Sequence, residues 1–486
     1  MKIGRSDRLN FFPITNNYKA IRKKSTNNLS KLLNYLDISI DPFFSAQELD
    51  QLAREAQFVR REGKLNGSLF FDLIVFHNEN LKAQSLNDMS VTLKDIYSIE
   101  IRKQSLHERF NRYALAFLKQ ALEKLLHQQL ELDSAIFSDL KGFNRILLKD
   151  STSFQIDASL AQYYAGSGGH GSDASIRIQF EYDIVSGRIN DLSVTAFNRQ
   201  DAKDSLATIE LIDPGDLIIR DLAYMGLEVL KAIRIKEAFY LCRAHPTVHI
   251  LQKHQDEYKQ IDFVEITQYM KTHNLSCLEK EVYLGSKEKF KTRLVFYLLP
   301  QEEYAKRIRK AQKNNQKKGR KVLSKEYKAR SALNIFITNA DTQQIPMDKL
   351  WDFYRLRWQI ELIFKIWKSI CNIEKVKKVK IHRLQCYIYS KLVLIVLSWQ
   401  ILWRTARKLF INEGKALSFF KASKTLIHRK LGDLREILIF GRSSMQRFMD
   451  QFYDLSKTNH ILEKRRKEPN SMQRMLFCLD REYMAI

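Results

Sequence analysis

From Phe143 to Arg243 the chain becomes a succession of short apolar runs separated by turns. Arg145–Lys149 reads RILLK and Ala174–Tyr182 reads ASIRIQFEY; a turn at Ser186–Gly187 leads to a second hairpin arm at Arg188–Val194. Ser205–Ile212 carries a helical pattern, Asp216–Arg220 reads DLIIR, and a further strand begins at Ala238–Cys242. Apolar and β-branched runs bounded by turn residues predict strands. The order strand, strand, strand, helix, strand, helix, strand argues for a mixed α/β sheet with helices packed on it.

What surrounds this region is different. Residues 1–44 are polar and basic and read as an arm. A helical region spans 45–140. Ser45 gives an N-cap signal for SAQELDQLAREAQFVRR. Ser85–Leu126 reads as a helix, a break at Ser98–Glu100, and a long second helix opening on Arg102, Lys103, Gln104, Ser105, His107 and Arg109. That is a helix-turn-helix shape, with Lys103 and Arg109 suited to phosphates and base edges. The α/β region occupies 141–378, interrupted by short strands and a basic run over about 243–345. Arg293–Leu299 and Asn334–Asn339 are strands there, followed by a long helix over about Met347–Ile370. Residues 379–486 are helical, apolar at 380–410 and basic at the end, where Lys464–Lys467 reads KRRK.

The charge narrows the choice of partner. Eighty-one Lys and Arg face 55 Asp and Glu, a net of +26. A field of that sign draws polyanions, nucleic acid before any other. Lys306–Lys321, KRIRKAQKNNQKKGRK, holds nine Lys or Arg in sixteen positions. So dense a run predicts an arm on phosphates, with Lys317, Lys318 and Arg320 in it. A membrane is disfavoured. The longest apolar stretch, Leu392–Trp403, is shorter than the roughly 20 residues a span needs, so a buried helix is expected. MKIGRSDRLNFF has no apolar signal region, and a cytoplasmic protein is expected. The five cysteines, with no CxxC spacing, predict small buried side chains and neither a disulfide framework nor a zinc site.

One helical segment carries chemistry. In Tyr354–Lys368, YRLRWQIELIFKIWK, the residues Tyr354, Arg357, Glu361 and Lys368 fall within about 60° of arc at the helical period. Beside them runs an apolar stripe of Phe353, Leu356, Ile360, Ile363, Phe364 and Trp367. A salt-bridge ladder is the plain alternative. Two acids elsewhere weigh against it: Asp150 directly follows RILLK, and Asp221 directly follows DLIIR. Two acids at strand ends and a helical Glu beside a packed face form an oxygen set for hard cations. Such sites serve phosphodiester chemistry, where two ions roughly 3.5–4 Å apart activate the attacking hydroxyl and stabilise the leaving oxygen. Arg357 and Lys368 suit flanking phosphates.

These residues resemble a known family. Tyr354-x2-Arg357-x3-Glu361-x6-Lys368 is similar to the YREK signature of the insertion-sequence-4 family of bacterial transposases; RILLKDST and RDLAYMG resemble its two Asp motifs. The spacings, 71 residues between the Asp residues and 140 from the second to Glu361, fit as well, and the likeness covers about residues 45–400. The resemblance implies an RNase H-like catalytic domain with a β-rich insertion, and two Mg²⁺ or Mn²⁺ ions on Asp150, Asp221 and Glu361. It implies hydrolysis at inverted-repeat ends followed by strand transfer, and a homodimer bridging two DNA ends. Tyr354, Arg357 and Lys368 would touch end phosphates, with Lys365 beside them. One departure concerns a Trp that some members carry on the strand before the signature. Here that strand is NIFITN, with Asn334 or Phe336 in the neighbourhood, and Trp351 on the helix is read as core. The rival readings are a DNA-binding protein without catalysis and an RNase H-like nuclease without strand transfer.

Overall fold

The computed structural model describes residues 43–462 apart from 78–84, 134–142, 169–171, 185, 245–247, 318 and 320–321. The basic arm at 1–44 lies almost wholly outside the described residues, as do KRRK, Lys318 and Arg320.

Five helices come first: α1 (Ala46–Glu55), α2 (Gly67–Val75), α3 (Leu86–Tyr97), α4 (Lys103–Arg109) and α5 (Arg112–Asp133). α1 starts where Ser45 implied. The Ser45 hydroxyl accepts the Glu48 amide, and the Glu48 carboxylate accepts the Ser45 amide, a capping box. α3 ends at Ser98 in the left-handed region, φ 56°, which makes the expected break. The long second helix expected after it is two helices. Phe110 leaves helical geometry, and the Asn111 side chain accepts from the amides of Tyr113 and Ala114. Asn bonds its own backbone so readily that it caps a new helix more easily than it continues an old one.

Then follow β1 (Ile146–Gln155), β2 (Ser175–Asp183), β3 (Ile189–Ala196), α6 (Asp201–Ala207), β4 (Leu217–Arg220), α7 (Leu227–Ile235) and β5 (Phe239–Arg243), in the order expected. β6 (Ile250–His254), β7 (Glu257–Gln260), α8 (Phe263–Thr272), β8 (Cys277–Leu284), β9 (Phe290–Leu298), α9 (Gln301–Lys317) and α10 (Lys325–Ser331) form the insertion, and β10 (Leu333–Thr338) returns the chain. β1 to β3 are antiparallel, while β4 runs parallel to β1 and β5 parallel to β4. Strand order 3-2-1-4-5 with this polarity is the RNase H-like sheet. The insertion does not stand apart from it. β10 pairs with β5, and β9, β8, β6 and β7 continue outward, so ten strands make one sheet.

Alternation along the strands sorts residues between two cores. Ile146, Leu148, Leu217, Ile219, Leu241 and Phe336 face one side, covered by α11 (Leu350–Arg355), α12 (Trp358–Ser369) and α13 (Ile381–Glu413). Leu147, Ile218, Tyr240, Cys242 and Ile335 face the other, under α7 and α8. α14 (Phe419–Thr425), a π turn at Leu426–Lys430, α15 (Leu431–Phe440) and α16 (Met445–Asn459) close the described chain.

α13 is the buried apolar helix expected at 380–410. Its Ile381–Phe410 stretch has the length and composition of a membrane span, but 94% of its apolar window is buried inside the protein. It meets α5, where Gln400 Nε2 donates to the Leu125 carbonyl at 3.2 Å, and Phe110 between α4 and α5, whose ring lies 5.6 Å from that of Tyr387. It also meets the β2–β3 turn. Gly187, at φ 74°, lets the backbone come against Trp403, and its carbonyl accepts from Trp399 Nε1 at 2.6 Å. Cys242, Cys371 and Cys386 are free and buried and Cys277 is free and half-buried, while Cys478 lies outside the described residues.

Candidate active site

The first acid sits differently from expectation. β1 does not stop at Lys149. It runs on to Gln155, with Asp150 opposite Phe180 of β2. What ends at Lys149 is the parallel ladder, whose last register pair is Lys149↔Arg220. Asp150 and Asp221 are therefore the residues that follow that pair on two adjacent parallel strands. Both share the parity of Ile146, Leu148, Leu217 and Ile219, and so lie toward the face that α12 covers.

Their predecessors point the other way and are fully buried. Lys149 Nζ lies 2.9 Å from Asp191, 2.7 Å from Asp204 and 2.9 Å from Thr208 Oγ1, and Arg220 pairs with Glu181 of β2. A charge taken out of water needs such partners. This lattice fixes two strands one residue short of the two acids. Sequence reading took RILLK and DLIIR as apolar runs and missed it, since nothing local distinguishes a buried terminal cation from an exposed one.

The third acid arrives on the helix pair. The single helix expected over Met347–Ile370 is broken. Leu356 and Arg357 separate α11 from α12, and the amides of Leu356, Arg357, Gln359 and Ile360 bond three residues back. This tightened turn is 3₁₀ in character. It carries Arg357 inward, buried, while Glu361 on α12 remains exposed.

Arg357 bridges two of the acids. Its Nη1 lies 3.3 Å from Asp150 Oδ2 and its Nη2 2.7 Å from Glu361 Oε1. Burial opposes the Arg357 charge, but Tyr354, Asp221, Glu361 and Asp150 outweigh it and hold its pKa above the ordinary arginine value. Asp150 is pushed up to about 6, first by burial and then by Asp221 and Glu361, against the pull of the Ser151 amide and Arg357. Asp221 caps the turn at Leu222–Tyr224 through the Leu222 amide at 2.8 Å. Asp150 and Glu361 thus flank one guanidinium, and Asp221 is near enough to act on its charge. Among the described residues no three acid, His or Cys side chains are gathered at one point as ligands; Arg357 stands between Asp150 and Glu361.

The remaining expected residues fall as follows. Tyr354 is not at a phosphate-accessible surface. It is buried, its ring 4.9 Å from Phe336 and near Trp351, because the apolar stripe turns inward at α11. Burial raises its hydroxyl pKa. Lys368 is half-buried and reaches back to β1, donating to the Ser153 carbonyl at 3.1 Å. Lys365 is exposed, its Nζ 5.5 Å from the Phe420 ring. Phe336 and Asn334 are buried on β10, and Trp351 packs on Phe336 and Tyr297. Lys103 is exposed on α4, and Arg109 stacks over Phe58 at 5.7 Å. Lys317 is exposed at the end of α9, so the basic run is a helix as far as that residue. Trp358 and Leu362, one turn apart beside Glu361, are exposed at 46% and 55%; an apolar pair on the outer side of the signature was not anticipated.

The chain is similar to known proteins over most of its length. The sequence matches the family described as "Transposase DDE domain" over residues 141–397. It is 29% identical to the transposase for insertion sequence element IS231F of Bacillus thuringiensis subsp. israelensis, over 87% of this chain and 89% of that protein. It is 32% identical to the transposase for IS231B of Bacillus thuringiensis subsp. berliner, over 80% of this chain and 86% of that protein. It is 28% identical to the transposase for IS1151 of Clostridium perfringens, over 87% and 90%. A remoter likeness is to the cryo-EM structure of the piggyBac transposase synaptic complex with hairpin DNA. It has a TM-score of 0.43 at 9% identity, over 92% of this chain and 89% of that one, and adds nothing to the assignment. The insertion-sequence-4 label fits the insertion-sequence relatives. With more than half of its length in that match and relatives aligned nearly end to end, this chain belongs to the DDE transposases of bacterial insertion sequences, the enzymes of DNA transposition.

Proposed function

We propose that Asp150, Asp221 and Glu361 are the catalytic acids and that they hold divalent cations, Mg²⁺ or Mn²⁺, two being expected. The observation that carries this reading is that Arg357 bridges Asp150 and Glu361, with Asp221 following the same register pair as Asp150 and acting on the Arg357 charge. The donor set fits: its oxygens are all carboxylate, and Asp150 is raised first by burial and then by its acidic neighbours, a setting that a hard cation relieves. When bound, such ions polarise the scissile phosphate and activate the attacking hydroxyl.

The chain's own residues do the rest. Arg357 neutralises the acids while no DNA is present; its fork then suits a DNA phosphate. Tyr354 supports Arg357 from below and does not itself reach the DNA. Lys368 holds α12 to β1, and Lys365 lies outward on the same helix. Water attacks a phosphorus at the transposon end and its P–O3′ bond breaks, the 3′ oxygen leaving as a hydroxyl. That hydroxyl then gives up its proton and attacks a phosphorus of the target strand, whose own P–O3′ bond breaks and whose 3′ oxygen leaves with a proton. Lys103 and Arg109 on α4 and Lys317 on α9 contact DNA farther out. Lys318 and Arg320 extend that contact in this reading, and two copies of the chain synapse two ends.

The test is to incubate the protein with labelled inverted-repeat ends, a target plasmid and Mg²⁺ or Mn²⁺. Joined products are expected. Nicks alone make it a nuclease, and retention without cleavage makes it a binder. Asp150→Asn, Asp221→Asn and Glu361→Gln should each lower cleavage at least a hundredfold while end binding persists. Full cleavage by any one of them removes that acid from the site.

A further inference from the structure

The three parallel strands lead to one rim. β1 and β4 bring Asp150 and Asp221 there, and β5 ends in Arg243. Arg243 has the parity of Phe239 and Leu241, so it lies toward the face of the acids. It is exposed, and its guanidinium sits over the Tyr354 ring, 5.5 Å from the centroid. Arg357 lies 6.0 Å from the same centroid. The two differ in one respect. Arg357 is engaged by Asp150 and Glu361, whereas Arg243 has no carboxylate partner among the described residues. A planar, permanently charged fork held on an aromatic ring beside the acids is suited to a phosphate.

The positive charge continues from there. Arg243 pairs in register with Phe336 of β10, and the Ala244 amide donates to the Ile335 carbonyl at 2.9 Å. Arg307 of α9 binds the start of β10 through the Leu333 carbonyl at 3.1 Å and Asn334 Oδ1, close enough to Arg243 that the two charges repel. β9 reaches the same rim, Leu298 opposite Leu333, before the chain enters α9. α9 has no buried residue, and Arg309, Lys310, Lys313 and Lys317 are exposed on it. The cations therefore form a track, from the acids across Arg243 and Arg307 to the outer end of α9.

We infer that Arg243 is a positioning residue for the DNA substrate. It holds a backbone phosphate of the strand to be cut beside Asp221, and α9 takes the phosphates that follow. The inference rests on the transposase reading of the acids. End binding is measured across a salt series for wild type, Arg243→Gln and Arg243→Lys, alongside thermal unfolding and cleavage against DNA concentration. Arg243→Gln is expected to lower the salt slope by about one and affinity about tenfold at 0.1 M salt. Arg243→Lys keeps the slope. A neutral methylphosphonate placed singly along the end should weaken wild type at one position and leave Arg243→Gln unaffected there. A wild-type slope in Arg243→Gln overturns the inference, whether or not the variant melts early, since loss of packing alone does not change the number of phosphates neutralised. If wild type cleaves and the slope is unmoved, only the role of Arg243 is lost. If wild type cleaves with no divalent cation at all, the reading of the acids fails first.

Discussion

Asp150 is largely withdrawn from water and shares its guanidinium with Glu361, and its chemistry follows first from that burial. Its carboxyl stands at about 6 in the folded chain, against about 3.9 when unfolded. A raised acid favours the protonated folded form. Its contribution to stability is therefore complete below about pH 4 and lost as the pH rises through about 6. The loss is on the order of 2–3 kcal/mol. Asp150→Asn, which carries no charge to bury, should be stabilised over wild type at pH 7.5 and much less so at pH 4.5. Denaturant unfolding at the two values measures the gap, and a gap independent of pH counts against the raised carboxyl. Binding of a cation by the carboxylate has to expel the same proton. Calorimetry below pH 6 in two buffers of different ionisation heat should then show proton release, and Asp150→Asn should show none.

At the scale of elements, the α11–α12 junction sets the site and the β2–β3 turn seats α13 against the sheet. Gly187 allows the turn to meet α13. A Cβ there would stand 2.4 Å from Trp403 in a backbone conformation that side chains rarely adopt. Gly187→Ala is expected to cost about 2–3 kcal/mol and lower the melting temperature by several degrees. A melting curve like wild type would show that the turn can shift. Lys149→Met should cost about 3–5 kcal/mol, because Asp191 and Asp204 lose the cation they enclose; unchanged denaturant unfolding would refute it. These elements also mark how far the sequence can be read. The strand order from Phe143 to Arg243 was legible because turns punctuate it, and the two Asp positions were legible because each closes an apolar run. The end of β1 was not, since SerThrSer after Asp150 is polar yet paired with β2. The helix break at Leu356–Arg357 was not, because it keeps helical torsions and changes only the hydrogen-bond reach. Arg243 was invisible too, since its role comes from strand register with distant Phe336 and from Tyr354 beneath it.

Across the whole molecule, one core joins segments that the sequence divides into three. Phe70, Phe117 and Leu125 of the first helices, Phe180 of the sheet and Leu392 to Trp403 of α13 belong to a single cluster. The ends are tied as well: Arg435 of α15 binds the buried Asp72 of α2 at 2.8 Å and the Tyr97 hydroxyl at 2.8 Å. The 45–140 segment should consequently not fold by itself. Expressed alone it should give weak helical circular dichroism and no cooperative melting, and a sharp transition would make it an independent domain. The same geometry bears on how the chain is born. Leu125 and the Gln400 that meets it are 275 residues apart, which a ribosome covers in roughly 15–55 s. The leading helices can pack on one another in that interval, Phe71 against Phe117 for example, but the faces that meet α13 lack their native partner. Slower translation or loss of holding chaperones is accordingly expected to lower the yield of folded chain.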